Sequence, residues 1–186
     1  HRVIAALAAR GARGLTVIAN DTARPGHGIG VLIDAGCVAR CIVSHIGLNP
    51  VAQRKLISGE MAIDLVPQGT LAERIRAGGA GIGAFFTPTG AGTVLAQGKE
   101  TRIIDGREQV LEFALKADMA LVRADRADRW GNLVYRKTAR NFGAVMATAA
   151  TIVAVEVAQV VALGALDPEA IVTPGVTVAR VVETGR

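Results

Sequence analysis

An α/β architecture, in which a largely parallel sheet carries helices on both faces and a small antiparallel hairpin forms a flap, is predicted for this 186-residue chain by three features. Short apolar runs rich in β-branched residues alternate with short helical segments, the pattern of consecutive βαβ units. Alanine, valine and glycine are abundant while aromatics make up only 3%, which suits closely packed parallel strands. Asp105 and Gly106 stand between two further runs, and Asp-Gly is a pair that two-residue hairpin turns favour.

The opening residues His1, Arg2, Val3 and Ile4 read as part of a helix, and the first strand covers 15–19. Strands over 40–46 and 62–66 follow. Between them Asn49 caps a helix with Pro50 at its first position, where a missing N–H costs nothing, and Gly59 stands after its end. Thr70 and Glu73 have capping-box spacing and start a second helix; Leu71 and Ile75 give it an apolar stripe, and Gly78 and Gly79 stop it. Gln68 is therefore expected just ahead of that helix, after the apolar run Ile63, Leu65 and Val66. In open α/β sheets ligands bind at the carboxyl ends of strands. Residues 101–104 and 108–111 form the hairpin, and 119–124 and 151–155 are further strands. One domain over 1–186 accommodates all of these, with no repeat or linker.

With 51% hydrophobic and 20% charged residues, the chain has the balance of an ordinary soluble core. Its net charge of +5 favours an anionic partner, but the arginines are scattered and aromatics are few, so a nucleic-acid surface is not expected. Cys37 and Cys41 are four apart, lack Cys-x-x-Cys spacing and read as reduced core thiols; His1, His27 and His45 have no metal-type spacing. No signal peptide is legible. The uncharged stretch 142–155 falls short of the roughly 20 apolar residues of a membrane helix and is closed by Glu156, while 77–98 is broken by glycines and Pro88. A cytoplasmic protein without metal or membrane is expected.

The segment from Val66 to Thr93, VPQGTLAERIRAGGAGIGAFFTPTGAGT, narrows function most. Gly78, Gly79, Gly81, Gly83, Gly90 and Gly92 call for left-handed dihedrals or close backbone approach, since each glycine adds to the entropy cost of ordering. A P-loop does not fit, because Gly98 and Lys99 are followed by Glu100; a dinucleotide fingerprint fails at Ala84. A purely structural glycine loop remains the other reading.

Here the residues become recognisable. A Pro67-Gln68-Gly69 turn, an arginine-bearing helix ending in Gly78-Gly79-Ala80-Gly81 and a Thr87-Pro88-Thr89-Gly90 loop occur in the order found in the alpha subunit of family I CoA-transferases, the 3-oxoacid and acetate CoA-transferases, which this chain resembles. The resemblance extends upstream through residues 15–23, Ser44, His45, Ile46, Gly47, Asn49 and residues 57–61, and downstream through 131–135 and 139–142. Family members open with a strand and a Gly-Gly-Phe type turn that has no counterpart in these residues; if that segment is absent from the protein, one core strand and part of the coenzyme-side wall are expected to be missing with it. Gly83, where many succinyl-type members carry proline, and the run Ala19-Asn20-Asp21-Thr22 resemble the acetate and acetoacetate subgroup.

The resemblance implies an enzyme that moves coenzyme A between a short-chain acyl-CoA and a carboxylic acid. A glutamate attacks the thioester, passes through a mixed anhydride and becomes a glutamyl-CoA thioester that a second acid resolves. In two-subunit members that glutamate lies on the beta subunit in a Ser-Glu-Asn-Gly setting, which this chain lacks. No nucleophile is assigned here: Glu73 has a capping role and Glu60 follows a helix-ending glycine. A beta-subunit partner is expected, in an assembly of two alpha and two beta chains, with coenzyme A as substrate and no cofactor. Asn20 and Gln68 match catalytic positions, where a carboxamide NH₂ can stabilise an oxyanion without competing for the attacking carboxylate as a lysine would. Gly79, Ala80 and Gly81 are expected to bind substrate, because a loop of such small residues lets backbone amides approach the acyl group and leaves space for a short acyl chain. Asn20 as a strand-end turn or helix cap, and Gln68 as a plain turn residue, are the other readings. Arg140 and Asn141 serve local structure, an interface or a surface ion pair. The alternative function is a small-molecule sensor or sugar-phosphate binding domain of related fold, and a third reading is a purely structural chain.

Overall fold

The computed structural model describes residues 2–185, so the expected placement of His1 in the opening helix lies outside the described residues. The chain forms two compact units, His1–Leu71 and Ala72–Arg186.

The first unit runs α1 (Arg2–Ala9), β1 (Leu15–Ile18), α2 (Gly30–Asp34), β2 (Val38–Val43), α3 (Pro50–Ile57) and β3 (Ala62–Leu65). Its three strands form one parallel sheet in the order β1-β2-β3. The central strand buries Val38, Cys41, Ile42 and Val43, as a parallel strand covered on both faces must. It ends at Val43 rather than at the expected Ile46, and beyond it Ser44 N on Asn20 O and the isolated bridge between Asp21 and His45 continue the pairing. Asn49 caps α3 as expected: its Oδ1 accepts from the amides of Val51 and Ala52 at 3.1 and 3.0 Å. Its Nδ2 donates to Thr22 O at 2.9 Å, so this fully buried amide is satisfied on both ends. Gly59 follows the helix at φ +75°.

Burial pushes the Cys41 thiol up from 9.0 to about 11. The native chain keeps a proton that the unfolded chain releases above 9.0, so this contribution to stability is full below that pH and is lost as pH rises through about 11. The effect amounts to at most about 2–3 kcal/mol. Thermal melts should show the parent losing stability more steeply than Cys41→Ala over this window; parallel slopes would contradict the assignment.

The boundary between the units falls within α4 (Gln68–Ala80). Two expectations are corrected here. The capping box does not form: the helix begins with Leu71 N on Pro67 O at 2.8 Å, which makes Gln68 its first residue. Thr70 Oγ1 is buried with no hydrogen-bond partner, and the Glu73 carboxylate takes Arg76 Nε at 2.8 Å. Gly78 and Gly79 do not stop the helix either. They sit inside it because a side chain on Gly78 would overlap the Leu115 carbonyl, and one on Gly79 would overlap Thr148. The stop comes at Gly81, φ +75°, with Ile82 N on Ala77 O at 2.9 Å and Gly81 N on Gly78 O at 3.4 Å, the paired bonds of a Schellman end.

The second unit continues with β4 (Ala84–Thr87), β5 (Thr101–Ile104), β6 (Arg107–Phe113), β7 (Ala117–Arg123), β8 (Arg126–Asp128), β9 (Leu133–Val134), α5 (Asn141–Met146), β10 (Ala150–Val157), β11 (Gln159–Val161) and β12 (Arg180–Glu183). The expected hairpin is β5–β6, turned by Asp105 at φ 50° and Gly106 at φ 72°; β4 joins it as a third antiparallel strand. Strands β7, β10 and β12 make a second parallel sheet, and β8, β9 and β11 a mixed one. Parallel pairing is thus divided between sheets rather than gathered in a single large one. The core of this unit gathers Ala120, Val122, Val153, Val155 and Val157 with Leu133 and Tyr135. Arg74 ties the later part of α4 to β6, its Nε donating to Phe113 O at 2.7 Å beside the buried Glu112, whose carboxylate also holds Lys99 Nζ at 2.6 Å. Among the described residues, no helix is long and apolar enough to cross a membrane.

Candidate active site

The carboxyl ends of the first sheet's three strands each supply one polar side chain. Asn20 lies two residues beyond β1, Ser44 directly beyond β2, and Gln68 three residues beyond β3. Gln68 Nε2 donates to Asn20 Oδ1 at 2.7 Å. Ser44 Oγ lies 3.2 Å from the same oxygen and 2.7 Å from the Asn20 backbone carbonyl, which also accepts Ser44 N at 2.9 Å. Asn20 and Ser44 are half-buried and Gln68 is exposed. Among the described residues, Asn20 Nδ2 has no hydrogen-bond partner. An amide donor is therefore presented at a strand end, where ligands of α/β sheets bind.

The sequence singles out Asn20 and Gln68 from positions 48 apart, and the structure brings them into contact. The Asn20 side chain caps no helix; the local turn is made by Asp21, whose Oδ1 accepts from Ala23 N at 2.8 Å. Gly79 and Ala80 occupy the last turn of α4 and Gly81 its left-handed stop, not the expected open loop. Their tight side faces Thr148 at Gly79, while Gly81 has open space around it. Ser44 belongs to the recognised motif but carries no role on sequence grounds. Its signal lies in the fold, since its partner is 24 residues away.

Neither Glu60 nor Glu73 is poised as a nucleophile. Glu60 accepts from Ser58 Oγ at 2.8 Å and Lys55 Nζ at 3.3 Å, which hold its carboxyl below the usual carboxylate range. Glu73 is engaged by Arg76. The donors on Glu60 lower the nucleophilicity of its carboxylate along with its basicity.

The family model described as Coenzyme A transferase matches residues 1–184. The chain is 52% identical to the alpha subunit of acetate CoA-transferase from Escherichia coli (strain K12), over 97% of this chain and 82% of that protein. It is 53% identical to a 3-oxoadipate CoA-transferase subunit of Pseudomonas putida, over 97% of this chain and 79% of that one. Among solved structures, an acyl-CoA transferase from E. coli O157:H7 in a thioester complex with CoA superimposes with a TM-score of 0.84. That likeness, at 22% identity, covers 98% of this chain and 43% of the other, and speaks for the fold alone. The chain belongs to the coenzyme A transferase family. Membership leaves the reading as a sensor or sugar-phosphate binding domain without support.

Proposed function

We propose that this chain is the alpha subunit of a CoA-transferase of the acetate or acetoacetate type, and that it builds the donor half of an active site whose glutamate lies on a beta subunit. The observation that carries the reading is the Asn20–Gln68 amide pair at the carboxyl ends of parallel strands. Asn20 Nδ2 donates to the oxygen that becomes negative when the partner's carboxylate attacks the acyl-CoA thioester, and again when the anhydride is opened. A neutral donor suits both steps. It stabilises developing charge on the acyl oxygen but leaves the carboxylate uncompensated and reactive.

The need for a partner is supported by the engaged state of Glu60 and Glu73 and by the relatives' being named as subunits. It also fits exposed apolar groups on adjoining turns of the second unit: Trp130 is 68% and Val176 93% exposed. A cytoplasmic heterotetramer of two alpha and two beta chains, using coenzyme A as substrate and no cofactor, completes the proposal. The purified chain alone should show no acetate-dependent loss of acetoacetyl-CoA, and addition of its beta partner should restore turnover. Substantial turnover by the single chain would reject this division of labour.

A further inference from the structure

His45 follows Ser44 at the carboxyl end of β2, and its side chain is exposed yet held in place. Gly47 N donates to its Nδ1 at 3.3 Å, and the ring lies over Gly47, where a Cβ would come within 2.8 Å of Cε1 and Nε2. A backbone N–H can only donate, so this bond fixes two things that a histidine ring otherwise leaves open. The ring turns a nitrogen rather than a carbon toward Gly47, and the nitrogen that accepts carries no proton. The proton of the neutral ring therefore sits on Nε2, which has no hydrogen-bond partner among the described residues. Asparagine would close the same turn with a shorter side chain. Histidine adds an outward N–H. Its backbone is fixed as well: Thr22 N donates to His45 O at 3.2 Å, and the bridge to Asp21 sets His45 beside the residue that follows Asn20.

We infer that His45 Nε2–H is a substrate-binding donor for an uncharged carbonyl oxygen of the acyl-CoA; the inference rests on the reading that places acyl-CoA at this strand end. A neutral donor suits a neutral acceptor, since an anionic oxygen gains most from a cation. Asp21, bridged to His45, brings a carboxylate to the same strand end, and that charge repels a second anion. Acyl-CoA of the proposed type carries two sources of such an oxygen near the thioester: the 3-oxo group of the acyl chain and the amide carbonyls of the pantetheine arm. A bond to the first makes His45 a specificity residue, because a site built to pair a substrate oxygen discriminates against the analogue that lacks it. A bond to the second holds every acyl-CoA alike.

The test compares the parent with His45→Asn, His45→Gln and Asn20→Ala, each assembled with the beta partner and supplied with acetate as acceptor. It measures melting temperature and kcat/KM for acetoacetyl-CoA and for butyryl-CoA, which has the same chain length without the 3-oxo group. His45→Asn keeps an acceptor for Gly47 N and loses the outward donor, so kcat/KM for acetoacetyl-CoA should fall about tenfold at an unchanged melting temperature. His45→Gln, whose amide reaches toward the place of Nε2, should recover part of the loss. A fall confined to acetoacetyl-CoA assigns the contact to the 3-oxo group, and an equal fall for both substrates assigns it to the pantetheine arm. A His45→Asn enzyme that matches the parent on both substrates, beside a damaged Asn20→Ala enzyme, overturns the inference and leaves the proposed function intact. So does a loss that follows a lowered melting temperature or that glutamine does not reduce. An assembled parent without acyl-CoA turnover, or an Asn20→Ala enzyme as active as the parent, would remove the reading of this strand end and the role of His45 with it.

Discussion

Replacing Asn20 with alanine is expected to lower kcat of the assembled enzyme by roughly 100- to 1,000-fold, the loss that follows removal of one oxyanion donor. The side chain supplies the one amide in the cluster with an unengaged NH₂ among the described residues, and alanine returns the acyl oxygen to whatever water can reach it. KM for acyl-CoA should change little, because the interaction strengthens only as charge forms. The fold should tolerate the change. The Asn20 carbonyl keeps both of its bonds from Ser44, and the lost side-chain hydrogen bonds are worth about 1 kcal/mol each. Gln68→Ala should also lower turnover more than expression, since Gln68 is exposed yet holds Asn20. The double variant should be only slightly worse than Asn20→Ala, because both act through one amide. Steady-state kinetics of the three variants check this; unchanged turnover in Gln68→Ala would reject its role.

Gly78→Ala should be strongly destabilising. In an open helix interior, Gly→Ala stabilises by about 1 kcal/mol. At Gly78 the sign reverses, because the added methyl would occupy the position of the Leu115 carbonyl, with Lys116 Cγ only 3.3 Å away. That carbonyl belongs to the turn between β6 and β7, where Leu115 N already donates to Arg74 O at 2.8 Å. Relief requires α4 to move off this turn, drawing Arg74 away from Phe113 and Glu112, at a cost of about 3 kcal/mol or more. A melting temperature lower by about 10 °C or loss of soluble protein is expected. Gly69→Ala, in the first turn of the same helix with open space around its Cβ, should be neutral or slightly stabilising. Equal melting temperatures for Gly78→Ala and the parent would show that the helix packs elsewhere.

Asn20 and Gly78 both depend on partners distant in the chain, and that is where the sequence stops being legible. Signals that close within a few residues could be read directly: Asn49, Pro50 and Gly59 bound α3, and Asp105-Gly106 turns the hairpin. Signals that depend on distant partners could not. Thr70 and Glu73 have the spacing of a capping box, yet the helix starts one turn earlier on the Pro67 carbonyl, and Arg76 engages Glu73. Glycine either ends a helix or permits close packing inside one, and only Leu115 and Thr148, remote in sequence, decide which happens at Gly78 and Gly79. Strands of two or three residues, such as β8, β9 and β11, are too short to carry a period. Family resemblance singles out Asn20 and Gln68 one by one, and their contact is visible only in the structure. No local pattern links residues 48 apart, and nothing beside Ser44 in the chain announces its bond to Asn20.

The most direct test is to trap the covalent intermediate. The assembled enzyme is mixed with acyl-CoA in the absence of acceptor acid, quenched over a time course, and the intact mass of each chain is measured. The proposed division of labour places the coenzyme A adduct on the beta partner, forming much more slowly in Asn20→Ala than in the parent, with this chain unmodified. An adduct on this chain, or one that forms on the partner at the parent rate when Asn20 is alanine, would contradict it.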